Sequence, residues 1–481
     1  MNKTQTFLRV AALFLCILAG TSISMANYLR VTNIVQDQVN GTVSFDLAWD
    51  NSWRIDSMGA PNHWDAAWVF VKWRECSAPI TTDWTHGVVS TTVGDHTFGD
   101  LEPTLSSGTA IGIDAAPNNL GVMLRRDQNG IFPNAAATTV TLRMTNLPAT
   151  GDYDVRVFGV EMVYVPQGAF IAGGNQETYP LNIGGNPFTV TNENAISVNY
   201  LWSNVANLPA TFPKGYDPFY CMKYEISQAQ YAAFLNTLTQ TGQNNHFPNQ
   251  FNNNRHRIRN GGTPPDIYFS DRPDRAANYL SWANLCAYLD WACLRPMSDL
   301  EYEKACRGNG PYLGGYAWGS SDITEATALT SPEDGTETTM TPNANAHFVN
   351  NIINGGDGGY GPYRVGIFAT NATTSRLETG ATYYGIMEMS GNVWEQCVAV
   401  HTDANILPFT RNWGNGNLNA TGFSDVATWP YQDVIAGNTT YRVIRGGGYA
   451  SAAGNLRVSD RQYYYYGRSN GETTVGGRGV R

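Results

Sequence analysis

Hydrophobic positions fall into two textures along the chain. Over residues 28–158 they alternate with polar ones: Val43, Phe45, Leu47 and Trp49 share one side of a period-two pattern. An apolar run, Trp68-Val69-Phe70-Val71, follows, and later strands are expected around Val140-Thr141-Leu142 and over residues 153–157. Helical periodicity is absent here, and Gly, Pro, Asn and Asp turns separate the short strands, so residues 27–158 are expected to form an all-β sandwich of roughly immunoglobulin size. The tryptophans Trp49, Trp53, Trp64, Trp68, Trp73 and Trp84 read as core and rim rather than as a carbohydrate-stacking platform, because alternation already accounts for several.

Beyond residue 160 the period changes to helical, and each predicted helix opens on a cap. Ser227 and Gln230 have capping-box spacing ahead of Tyr231, Phe234, Leu235 and Leu238, which share one helical face. Ser281 opens a second helix with Leu285, Tyr288, Leu289 and Ala292 as its stripe, ended by Arg295-Pro296. Ser298 and Glu301 cap a third, which stops at Gly308. Residues 312–380 are rich in Gly, Asn, Thr and Asp, a composition that packs poorly unless aromatic anchors or bound ions order it.

Composition narrows the partners. The formal net charge is −10, and only 15% of residues are charged, a balance that argues against nucleic acid as a partner. Lys3 and Arg9 precede a short apolar stretch over residues 10–19, and Ser24-Met25-Ala26 follows as a cleavage site, so residues 1–26 read as a signal peptide and the product as secreted or periplasmic, with no membrane span. Cys16 lies within that stretch without a lipidation context. Six cysteines follow it: Cys76, Cys221, Cys286, Cys293, Cys306 and Cys397. An even number in an exported chain permits disulfides, but there is no CxxC pair for zinc or an iron-sulfur cluster, and Cys286 and Cys293 fit a bridge or two buried thiols equally.

The order of motifs after residue 160 resembles the formylglycine-generating enzyme (sulfatase-modifying factor) family. Met162-Val163-Tyr164-Val165-Pro166-Gln167-Gly168-Ala169-Phe170 opens the match, and Phe219-Tyr220-Cys221-Met222-Lys223-Tyr224-Glu225-Ile226-Ser227 leads into the first helix. Ser281-Trp282 and the stretch Leu294-Arg295-Pro296-Met297-Ser298-Asp299-Leu300-Glu301-Tyr302-Glu303 follow in place, then Trp318-Gly319. The strongest pieces are Gly391-Asn392-Val393-Trp394-Glu395 and Arg442-Val443-Ile444-Arg445-Gly446-Gly447-Gly448-Tyr449, and the chain ends on Gly477-Arg478-Gly479-Val480-Arg481. The resemblance implies an α+β, C-type-lectin-like domain over residues 160–481, preceded by the β-sandwich.

The family's oxidation of a substrate cysteine uses copper held by two cysteines just past the Arg-Gly-Gly motif. By resemblance those positions fall on Ser451 and Leu456, and no cysteine occurs after Cys397. A soft Cu(I) ion requires thiolates there, so copper is not expected and no catalytic residue is assigned. A related iron-dependent branch needs an N-terminal helical domain with a histidine site, whereas this N-terminal region reads as β and the seven histidines are scattered. Calcium is the ion the resemblance retains. One structural site would use Asn345 and Asp357 with main-chain oxygens of Ala346 and Gly359, and a second Asn392 and Glu395 with the Val393 carbonyl, all oxygen donors suited to a hard cation.

The last forty residues carry the remaining chemistry. Tyr449, Ser451, Asn455, Ser459, Tyr463, Tyr464, Tyr465, Tyr466 and Asn470 combine tyrosine contact area with adaptable Ser and Asn hydrogen bonding, the chemistry of a paratope, where the fold places its ligand site. Alternate tyrosines of a strand facing the core would account for the same run. This segment also resembles the variable targets of diversity-generating retroelements, whose Asn codons diversify to Tyr, Ser, Asp and Gly. Three functions fit the chain: an exported binding protein for a protein or glycan ligand, an oxidoreductase of the sulfatase-activating type, and a structural component of a surface assembly. The first leads, because the thiolate pair is missing.

Overall fold

The computed structural model describes residues 29–56, 62–79, 82, 84–104, 119–133, 135–174, 177–201, 204–310, 314–349, 351–370, 373, 375–433, 442–463 and 471–481. The expected leader, together with Tyr464, Tyr465, Tyr466 and Asn470, lies outside them. Within them the fold is α+β, with sheet predominating over a few short helices.

Two antiparallel sheets form the N-terminal part. The smaller is three-stranded, in the order Arg30–Asp37, Thr42–Ala48, Thr138–Arg143. The larger has eight strands and is built around His63–Glu75 and Tyr153–Val165, which pair in unbroken register from Tyr153↔Glu75 to Val163↔Asp65. Side-chain parity divides the larger sheet into two buried faces. Ala67, Val69, Val71, Val122, Leu124 and Val157 meet Val31, Val43, Phe45, Leu47 and Trp49 of the smaller sheet. The opposite parity, Ala66, Trp68, Phe70, Met123, Phe158, Val160 and Met162, packs on the helices of the second half. A strand buried on both faces cannot alternate, which is the physical reason for the apolar run at residues 68–71. Trp49, Trp64, Trp68 and Trp84 are buried, while Trp53 and Trp73 are half-buried.

The positions expected to separate the two parts, 158–160, lie inside the continuous strand Tyr153–Val165. Its far end pairs with Phe219–Met222, from Met162↔Met222 to Val165↔Phe219. The chain's last residues then close on that strand. Tyr220 N donates to Arg481 O and Arg481 N to Tyr220 O, both at 2.8 Å, and Met222 N donates to Gly479 O at 3.0 Å.

All three expected helices form on their expected caps. Ser227 and Gln230 exchange both capping-box bonds at the head of Gln228–Leu235, as do Ser298 and Glu301 for Asp299–Arg307, and Ser281 Oγ accepts from Asn284 N ahead of Trp282–Trp291. The first helix stops before Leu238, because Thr239 starts a separate helix, Gln240–His246. The irregular stretch before residue 380 contains a further capping box, Ser375 with Glu378, heading the short helix Arg376–Thr379. Aromatic anchors order the rest of it: Tyr363 and Phe368 pack with Ala326, Leu329, Ala344, Ile353 and Ile367.

Candidate functional site

The segment after the Arg-Gly-Gly motif is held from below by a buried charge network. Strand Arg442–Arg445 pairs with Glu395–Val398, setting Arg445 opposite Glu395. The chain turns at Gly446 (φ 83°), where a Cβ would lie 2.8 Å from Met389 O, so the position requires glycine. Beyond the turn, the fully buried Arg461 returns to helix Asp299–Arg307. Its Nε donates to Asp299 Oδ2 at 2.8 Å and its Nη2 to Glu303 Oε1 at 2.5 Å. Arg445 bonds the same Asp299 and the Val458 carbonyl, and Arg307 reaches Glu303 at 3.4 Å. Burial works against the Arg461 charge, but Asp299 and Glu303 overcome it and lift its pKa above the ordinary value. Burial likewise raises Glu303, yet Arg461, Arg307 and Arg445 hold it below the usual carboxylate range. Asp299, Glu303 and Arg307 of this helix are thus buried because they are paired.

The two positions that would carry copper thiolates are built into the structure in other ways. Ser451 is buried, and its Oγ accepts from Gly448 N at 2.9 Å while its carbonyl accepts from Val349 N. Leu456 is fully buried in an apolar cluster with Tyr316, Trp318, Ala346 and Phe348. The other expected ligand-contacting side chains in the described part of this segment turn inward. Tyr449 is buried and donates to Thr473 O at 3.0 Å, and burial pushes its phenol pKa up. Asn455 Nδ2 donates to Gln462 Oε1 at 2.7 Å, and Ser459 Oγ donates to Gly173 O at 2.7 Å while accepting from Arg307. Tyr463 is half-buried, edge-on to Trp394 with ring centroids 5.2 Å apart. Ala450, Ala452, Gly454 and Gln462 provide the exposed positions of residues 449–463.

No disulfide joins the described cysteines: Cys76 is half-buried, and Cys221, Cys286, Cys293, Cys306 and Cys397 are buried. Burial pushes the Cys221 thiol up to about 12 and raises Cys286, Cys306 and Cys397 as well, which makes them inert packing residues rather than nucleophiles. Cys293 Sγ lies 3.5 Å from His86 Nε2, where the N-terminal part meets the second half.

Most of the oxygen donors named for calcium are engaged by protein partners, while Glu395 Oε2 is buried without a hydrogen-bond partner. Asn392 Oδ1 accepts from Tyr363 N at 2.8 Å, its Nδ2 donates to Glu225 at 2.5 Å, and Val393 N donates to the same carboxylate at 3.0 Å. Glu395 pairs with Arg478 at 2.7 Å; burial raises it to about 7 and Arg478 acts in the opposite sense. In the other set, Asn345 Oδ1 accepts from Thr324 N, the Ala346 carbonyl from Ala326 N, and the Gly359 carbonyl from Ile353 N. Asp357 receives Arg272 at 2.5 and 2.7 Å and Arg275 at 2.9 Å. A divalent cation at Asp357 would have to displace guanidinium groups from both carboxylate oxygens, so that set as it stands does not fit calcium, and at Glu395 it would share the carboxylate with Arg478. Among the described residues no group of three His, Cys, Asp or Glu side chains converges to hold a metal.

Sequence reasoning missed the arginines that organise both regions. The available signal was their density: Arg255, Arg257, Arg259, Arg272 and Arg275 fall close together in a chain poor in charge.

Residues 155–481 match the model of the sulfatase-modifying factor enzyme 1-like domain. A curated relative, a formylglycine-generating enzyme of Thermomonospora curvata, is 28% identical over 134 residues, and the match spans 28% of this chain and 36% of that protein's length. Among solved structures, Treponema denticola variable protein 1 matches with a TM-score of 0.32 and 12% identity, covering 67% of this chain and 95% of that one, a level that carries no structural assignment. With a domain match over two-thirds of its length, the chain belongs to the sulfatase-modifying factor enzyme 1-like family.

Proposed function

We propose that this chain is an exported, non-catalytic binding member of its family, with a C-type-lectin-like domain that presents the C-terminal segment to a protein or glycan ligand. The observation that carries the reading is the pair Ser451 and Leu456. One caps the turn at Gly448 and the other fills an apolar cluster, so the family's two thiolate positions are occupied by groups with structural work of their own. Neither hydroxyl nor alkyl group binds Cu(I) or passes electrons to oxygen.

The network of Arg445, Arg461, Asp299 and Glu303 supports the binding half of the proposal, because it fixes the base of the segment on a helix and lowers the ordering cost of contacts made above it. The inward side chains narrow the face to Tyr463 and the exposed positions around Gln462, together with residues 464–470, which lie outside the described structure. Diversification by a retroelement would then fall on residues past 461, since substitutions at the buried Tyr449 or Ser459 would disturb packing. A codon-level comparison with a template repeat tests this: adenine-directed changes confined to that stretch support it, and substitutions scattered at other bases refute it.

The binding proposal is tested by probing protein and glycan arrays with the chain and with a Tyr463→Ala variant. A ligand held by the wild type and weakened by the variant is the expected result. A ligand held equally by both would move the binding face elsewhere.

A further inference from the structure

A second feature lies where the arginines gather. Loop residues 252–255 and 357–360 border a cleft of about 550 Å³ lined by Arg255, Arg257, Arg272 and Arg275 against one carboxylate, Asp357. The two inner arginines are buried and committed to the walls. Arg255 donates to Gly358 O at 2.8 Å and Pro362 O at 3.1 Å, and both it and Arg275 pair with Glu333, at 2.5 and 2.6 Å. The outer two sit at the mouth, with side chains 27% exposed for Arg257 and 29% for Arg272. Arg257 is held by Asp271 at 2.5 Å and lies over the Phe251 ring, 4.6 Å from its centroid, so its guanidinium plane is fixed before any ligand arrives.

The backbone of the same wall is strained. Asn252, Asn254 and Arg255 have φ of 67°, 45° and 60°, the left-handed region that asparagine tolerates and arginine rarely occupies. Such geometry gathers at ligand sites, where surrounding contacts hold it. Here Tyr279 Oη donates to Asn254 Oδ1 at 2.7 Å, and Asn278 Nδ2 donates both to Asn254 O at 3.1 Å and to Thr473 O at 2.9 Å. Thr473 O also accepts from Tyr449, which links the cleft to the base of the C-terminal segment.

We propose that this cleft binds an oxyanion: Arg257 and Arg272 hold a carboxylate, sulfate or phosphate group, while Asn252, Asn254 and Tyr360 contact the sugar-sized polar body that carries it. Family resemblance implies a cation at Asp357, but this chain's own residues set the opposite sign. Arg272 spans the Asp357 carboxylate at 2.5 and 2.7 Å and Arg275 reaches it at 2.9 Å, so guanidinium groups surround the one acid that faces the cleft. A guanidinium group has five N–H donors, and Asp357 takes two bonds from Arg272 and the Asp271 carbonyl one, leaving donors for a second acceptor. Asn252 Oδ1 accepts from Arg257 and Asn254 Oδ1 from Tyr279, so the Nδ2 groups of these amides are what a ligand hydroxyl would meet, and Tyr360, 40% exposed, offers a ring face for a sugar. The inference stands whether or not the C-terminal segment binds a ligand of its own.

Isothermal titration and thermal melting with sodium sulfate, sodium glucuronate, glucose and calcium chloride, at matched ionic strength, test it. The expected result is saturable binding of sulfate or glucuronate by the wild type, weakened about tenfold or more by Arg257→Gln/Arg272→Gln. Binding of both anions or of sulfate alone supports a free-oxyanion site, and binding of glucuronate alone supports one for sugar acids. If the double variant loses its wild-type circular dichroism, Arg257→Gln alone is used, since it leaves the ion pairs of Asp357 in place. Absence of saturation by either anion, equal affinity in a folded variant, or saturable stabilisation by calcium but neither anion would overturn the proposal.

Discussion

Replacing Arg461 with methionine tests how the C-terminal segment is held. The side chain is fully buried and spans two carboxylates, with Nε 2.8 Å from Asp299 and Nη2 2.5 Å from Glu303. Methionine fills part of the volume but leaves two buried acids to Arg445 and Arg307, the latter 3.4 Å from Glu303. Removing one partner of a buried pair typically costs about 3–5 kcal/mol, whereas removing both partners costs much less. Against a total stability of roughly 5–15 kcal/mol, the single substitution should lower the urea midpoint markedly. Adding Glu303→Gln should return part of the loss, with a coupling of about 1–3 kcal/mol in the double-mutant cycle. Urea unfolding followed by tryptophan fluorescence measures both quantities. A single-variant loss below about 1 kcal/mol, or additive losses in the cycle, would show that the network does not hold the segment.

Three further outcomes follow from packing and burial. Leu456→Ala should destabilise the protein by about 2–5 kcal/mol, because its cluster is closed and apolar; a change within about 0.5 kcal/mol would mean the position is open. Gly308→Ala should also destabilise, since φ is +62° and the new Cβ would lie 2.1 Å from Tyr383 Cδ1; an unchanged melting temperature would contradict this. His246, His256 and His347 are pushed down to about 4 by burial from an ordinary 6.5. Each is neutral in both folded and unfolded chains above 6.5, so its contribution is intact there and is lost as pH falls toward 4, where only the unfolded form binds the proton readily. Glu388 and Glu395, which burial raises to about 7, act in the opposite direction as pH falls below that value. Titration of the individual imidazoles by NMR therefore separates the effects, and protonation near 6.5 in the folded protein would refute the assignment.

Local signals were the most legible in the sequence. Ser227, Ser281 and Ser298 each announced a helix because capping is settled within four residues. Strand periodicity was readable too, but it did not reveal that the larger sheet lends its second face to the other half. That arrangement depends on Trp68, Phe70 and Phe158 meeting Trp291 and Leu289, far along the chain. Direction defeated the reading of the C-terminal segment: its composition suggested a contact surface, yet Tyr449, Asn455 and Ser459 face inward to partners that composition does not specify. Long-range charge pairing was equally hidden. Asp357 resembled a calcium ligand by position, and its partners Arg272 and Arg275 become visible only once the fold brings residues more than eighty positions apart together.

The proposed loss of the family's thiolate chemistry is tested by incubating this chain with Cu(I), oxygen, a reductant and a cysteine-containing sulfatase peptide, followed by mass spectrometry. Unmodified peptide is the predicted product, alongside full conversion by a catalytically competent family member under the same conditions. Copper-dependent conversion of the peptide's cysteine to formylglycine by this chain would show that catalysis survives without thiolates at positions 451 and 456.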